Sequence, residues 1–140
     1  MKKSKLIIDY DYDFELFGIR SAAKGYRLAW EINNKTGMHL VRQPDLTVAF
    51  KKGEERKFSF YAHETRINRL KLFKNKPADS DLGKYFLIPE FPHFDFIILI
   101  QMDDLIVRDI FLFQLKQISS IELTASIALD GLKSKSNFIF

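Results

Sequence analysis

Four carboxylates stand at alternate positions near the start of the chain. Asp9, Asp11, Asp13 and Glu15 are interleaved with Tyr10, Tyr12, Phe14 and Leu16. Grouped acids do two kinds of chemistry, cation binding and general acid–base catalysis. A calcium loop counted from Asp9 needs a glycine where Phe14 stands and a bidentate Glu where Arg20 stands, so that reading fails. A magnesium or catalytic cluster is allowed by the spacing, because residues two apart share a strand face. Such neighbours are one pleat repeat apart, about 6–7 Å, and on a wet face they need no metal. The row therefore reads as the solvated side of a strand. Four like charges in a row repel one another, and Arg66, Arg69, Lys71 and Lys74 are the expected compensating partners.

Other chemistry is sparse. His39, His63 and His93 lie in separate segments without a ligand-spaced neighbour. No nucleophile elbow, Walker loop or dinucleotide glycine motif appears. No catalytic residue, metal ligand or cofactor is expected, and the enzyme question leans to no. The stretch RINRLKLFKNK, Arg66 to Lys76, is a basic run with an aromatic residue inside it. Read as a strand, it turns Leu70 and Leu72 inward and presents Arg69, Lys71 and Phe73 outward. Charge beside a stacking ring suits RNA, so Arg66, Arg69, Lys71, Phe73 and Lys74 are the candidate nucleic-acid or partner face. The plainer reading is a solvated strand whose charges block edge-to-edge aggregation. The glycine-and-aromatic pattern of an RRM is missing.

The chain has 140 residues, 46% of them hydrophobic and 14% aromatic. That suffices for one compact domain over residues 1–140 and excludes a disordered chain. It has no cysteine, hence no disulfide or thiolate zinc chemistry, and a cytoplasmic protein is the simplest expectation. The basic start leads into only Leu6 to Ile8 before Asp9, far short of a signal-peptide core. No apolar run is long enough for a membrane-spanning helix. The net charge of +4 is uneven. Residues 51–76 hold nine Lys or Arg against three Glu, whereas 78–110 hold seven acids against two bases. Such segmental charge weakens a nucleic-acid assignment based on pI alone and favours charge-complementary association.

Alternation from Leu6 to Phe17 predicts a strand that ends at Gly18. Ser21 is the expected cap of a helix over Ala22 to Thr36, with Tyr26 and Trp30 packed on the sheet and Gly37 just past its end. Met38 to Phe50 predicts a strand broken near Pro44. Lys57 to His63 and Ile67 to Phe73 predict two more strands, separated from the broken one by the polar turn Lys51 to Glu55. Phe94 to Gln101 is the most apolar segment and is expected at the sheet centre. A second helix capped by Asp104 carries Leu105, Ile106, Ile110, Phe113 and Ile118, with Phe111, Leu112 and Leu115 beside them. Ile121 to Leu129 predicts the last strand, and Phe138, Ile139 and Phe140 are too apolar to stay in water. The order predicts an α+β fold: a mainly antiparallel sheet with two helices, ferredoxin-like or ACT-like, with an inserted hairpin.

Ile88 to Phe96 reads IPEFPHFDF. This segment resembles the signature of the IPExxxVDY family of small bacterial proteins. Ile88, Pro89, Glu90 and Asp95 match it, while Phe94 and Phe96 stand where the family has Val and Tyr. FELFGI, KGYRLAWEIN and LKSKSNFIF are also similar to the family, so the resemblance spans nearly the whole chain. It implies no catalytic residue. Pro89 and Pro92 rigidify the approach to the apolar strand, and Glu90 and Asp95 are expected to accept backbone or Arg hydrogen bonds. Ile88, Pro89, Glu90 and Asp95 form a candidate motif loop, either structural or a partner site. The sequence points to a non-enzymatic domain that binds a protein partner or a second copy of itself. An RNA-binding module and an ACT-like small-molecule sensor are the alternatives.

Overall fold

The computed structural model of the protein describes residues 13–50, 53–77 and 85–140. Asp9 and Asp11, with the rest of the expected strand before Asp13, lie outside the described residues, as do Lys51, Lys52 and residues 78–84. The elements run β1 (Glu15–Ser21), α1 (Gly25–Thr36), β2 (Val41–Arg42), β3 (Leu46–Ala49), β4 (Glu55–Phe58), β5 (Phe60–Glu64), β6 (Asn68–Lys74), β7 (Phe96–Met102), α2 (Leu105–Lys116) and β8 (Ile121–Ile127). A 3-10 helix, Lys133–Phe138, follows. Six strands make one antiparallel sheet in the order β2-β5-β6-β7-β1-β8, and β3 and β4 form a separate hairpin. The fold is α+β. The run β8-β1-β7-β6 has the strand order and directions of a ferredoxin-like βαββαβ unit, with β2 to β5 inserted between α1 and β6.

Both faces of the sheet are covered. On one, Phe17, Ile19, Leu70, Leu72, Phe96, Ile98 and Ile100 pack against Leu28, Ala29 and Ile32 of α1 and Phe111 and Leu115 of α2. On the other, Leu16, Phe60, Phe73, Ile97 and Leu99 pack beneath the β3–β4 hairpin, the Leu87–Phe94 loop and the 132–138 segment. Strands β6 and β7 are therefore apolar on both sides, as fully covered strands are.

Double coverage corrects several expectations. Phe73 is not outward but fully buried, and Lys71 is 5% exposed. Gly18 does not end β1: the strand runs through it to Ser21. A Cβ on Gly18 would lie 2.2 Å from the Phe94 ring, so the glycine is a seat for that ring. Phe58 and Phe60 do not share a strand, because the chain passes from the hairpin to the main sheet at Ser59. Helix α1 starts at Gly25, after Lys24 rather than Ser21; the Ser21 hydroxyl instead accepts from Ala23 N–H.

Tyr26 and Trp30 are 67% and 53% exposed, contrary to expectation. The helix docks on the stripe Gly25, Leu28, Ala29 and Ile32, where small residues allow close approach. The Trp30 ring instead carries the Arg27 guanidinium, 4.7 Å from its centroid. Gly37, in a left-handed conformation, closes the helix as expected. Asp104 caps α2 by accepting from Ile106 and Val107 N–H.

Candidate functional site

The motif loop is two consecutive proline turns. Phe91 N–H donates to Ile88 C=O across Pro89, and Phe94 N–H donates to Phe91 C=O across Pro92, with proline at its favoured second position in each. Glu90 projects from the first turn. Its carboxylate accepts from Lys133 N–H at 2.8 Å, from Ser134 N–H at 3.3 Å and from the Ser134 hydroxyl at 2.9 Å. It therefore caps the 3-10 helix from a distant part of the chain. Burial alone would raise the Glu90 carboxyl, but its own backbone N–H and then the Ser134 and Lys133 hydrogen bonds outweigh it and hold it below its ordinary range. Asp95 accepts from Ser21 N–H at 2.9 Å and fixes the end of β1. Ile88 is fully buried, and its N–H donates to the Asn75 side chain. Every polar group named here is taken up in holding chain segments together.

Strand β6 and the turn before it carry the expected basic face, and the structure breaks it up. Arg66 lies in the exposed turn before β6, and Lys74 is exposed at the strand's far end. Phe73 stacks on Phe60 inside the core, at 5.0 Å. Lys71 lies between them and Arg69, covered by the Phe140 ring at 4.3 Å. Its ammonium is 3.7 Å from the Glu64 carboxylate. Burial, and next Arg69, lower its pKa despite Glu64. No side chain array of cations around an exposed ring results.

The acidic row finds a partner other than those expected. Glu15 is held by Arg108 of α2, with Nε 2.8 Å from its carboxylate and Nη2 on the second oxygen. Arg108 also donates to Asp109 at 2.7 Å, and the two carboxylates push its pKa up. Asp13 accepts from Gln101 at 2.7 Å, and Gln101 accepts from Arg69 at 3.0 Å. One expected cation therefore reaches the row, through an amide.

The outer face of α2 is the largest departure from a polar surface. The residues buried from this helix are Phe111 and Leu115. Leu105, Ile106, Ile110 and Phe113 are 67%, 72%, 52% and 64% exposed. Ile106, Ile110 and Phe113 fall at i, i+4 and i+7 on one stripe. Exposed Asp109 and Lys116 flank it, one turn before and one turn after Phe113. The next strand, β8, pairs only with β1 among the described strands and is an edge of the sheet.

No protein-family model, curated protein or solved structure matches the chain. Among the described residues no helix is long and apolar enough to cross a membrane.

Two features of the structure escaped the sequence reading. The α2 stripe follows from its helical spacing, but spacing cannot say which of two apolar faces a helix buries. Asn75 sits in a polar run that reads as loop. It is fully buried and donates to Phe91 and Phe94 C=O while accepting from Ile88 N–H. Nothing in its neighbourhood announces that role.

Proposed function

We propose that the chain is a cytoplasmic, non-enzymatic domain that works by association, with a second copy of itself packed antiparallel on α2. The observation that carries this reading is the exposed stripe Ile106, Ile110 and Phe113 with Leu105 at its flank. Monomers rarely expose contiguous apolar patches beyond a few hundred Å², and larger ones mark interaction sites. Self-pairing is favoured by the flanking charges. In an antiparallel pair with the twofold axis beside Phe113, Asp109 of each copy meets Lys116 of the other, so both ion pairs form at once. The opposed helix dipoles add to this arrangement.

Sedimentation velocity over a range of protein concentrations tests it. The wild-type chain is expected to shift from monomer to dimer as concentration rises. Asp109→Lys and Lys116→Asp should each weaken the dimer, and the two together should restore it. A wild-type chain that stays monomeric throughout, or a double variant no better than the singles, overturns the arrangement.

A further inference from the structure

We propose that the cavity between Lys71 and Arg69 is a binding site for a small organic anion, a carboxylate on a flat apolar body. Lys71 lies in the middle of β6, on the same face as buried Phe73, with Ala62 and Leu99 as its strand neighbours. A buried polar group on an apolar sheet face is the informative exception in a fold. Its side chain is 6% exposed, yet its contacts are few. The Glu64 carboxylate at 3.7 Å is beyond hydrogen-bond length. The Phe140 ring offers a π face and no lone pair. An ammonium has three donors, and the ion pair with Glu64 leaves at least two of them for another acceptor. Methionine would fill the same space without those donors.

Space for an acceptor exists on both sides of the amine. One cavity, about 200 Å³, is lined by Lys71, Arg69 and Gln101, with Phe14, Leu99 and Phe138 among its apolar walls and Asp13 at its rim. The other, about 330 Å³, is lined by Lys71, Gln43, Phe60, Ala62, Glu64 and Phe140. In the first, two cations face one acid. A carboxylate there reaches both Lys71 and Arg69, and its body lies against the phenyl rings. The volume sets the size class. Drug-sized ligands occupy cavities from roughly 300 Å³ upward, so the first cavity takes a small acid and excludes a nucleotide. Phe138 is buried, whereas Ile139 and Phe140 are about half exposed. Both line the first cavity, and the Phe140 ring also packs edge-on against Phe60 at 5.7 Å. Burial first, and then Arg69, lower the Lys71 pKa, and an anion beside the amine would oppose both.

Calorimetric titration of the full chain with benzoate, and with benzamide as its uncharged isostere, tests the proposal. Benzoate is expected to bind saturably in the millimolar range or tighter. Benzamide and the Lys71→Met variant should each weaken binding by about tenfold or more, the loss of one charged hydrogen bond. Arg69→Met should weaken it less, and serves alone if Lys71→Met does not fold. At alkaline pH, where Lys71 titrates, proton uptake should accompany binding when measured in buffers of different ionisation heat, because the anion raises the Lys71 pKa. No saturable binding of benzoate, equal binding of benzamide, or undiminished binding to Lys71→Met overturns the proposal. All three readouts are independent of the α2 surface, since Lys71 lies on the opposite face of the sheet.

Discussion

At the scale of single residues, Lys71 is the position where stability and side-chain identity disagree. Its ammonium is covered by Phe140 and neighboured by Arg69, and its pKa is lowered. Below the folded pKa both states carry the proton and the folded state bears the full cost of the buried charge. Between the folded pKa and the ordinary value of 10.5, the unfolded chain binds more protons, so stability rises with pH through that window. Lys71→Met should therefore raise the melting temperature at neutral pH and remove the alkaline rise. A variant less stable than wild type at neutral pH would mean that the Glu64 contact outweighs burial. The alternation rule placed Lys71 outside because it assumes one wet face. β6 has none, as its neighbours Leu70, Leu72 and Phe73 show by being buried as well.

At the scale of elements, the sequence was most legible where a local device sets the structure. Asp104 before α2, Gly37 after α1 and the break around Pro44 act within a few residues, and each stands where it was read. Glu90 and Asp95 were read as acceptors, and both accept backbone N–H groups. Their donors, at Lys133 and Ser21, are 43 and 74 residues away, and no local pattern links them. Helix orientation failed for a related reason: each helix has two apolar stripes, and the sheet selects one. On α1 it selects the side with Gly25 and Ala29, although the other side carries Trp30. The Glu90 cap leads to a prediction about the 3-10 helix it holds. Its carboxyl is held below 4.5, so its contribution is complete above the unfolded pKa. That contribution is lost as pH falls through the lower, folded value. Glu90→Gln should cost about 1 kcal/mol at neutral pH, as the loss of a helix cap does. Amide exchange should quicken across 132–140 while β6 and β7 keep their protection. Uniform loss of protection would place Glu90 in the core network rather than at the 3-10 helix.

At the scale of the whole molecule, the sheet has used its apolar surface on both sides, through the helices on one and the hairpin, motif loop and 3-10 segment on the other. The large apolar side chains left over are concentrated on the outside of the helix layer. Tyr26 and Trp30 stand on α1, and Leu105, Ile106, Ile110 and Phe113 on α2. Scattered exposed apolar residues are ordinary, but a helix with more exposed than buried apolar side chains is not. Trp30 is partly screened by Arg27, and Glu31 is tied to both Arg27 and Ser120, so α1 carries polar cover that the α2 stripe lacks. If a second copy supplies that cover, unfolding includes dissociation, and the melting temperature must depend on concentration. Each tenfold rise in protein concentration then adds about 1.4 kcal/mol per dimer. Ile110→Glu with Phe113→Glu should abolish this dependence. It should also leave the fold intact, since neither side chain belongs to the core; a variant that unfolds would instead assign the stripe to the monomer's own stability. A wild-type melting temperature that stays constant with concentration would leave the α2 surface without a second copy to cover it.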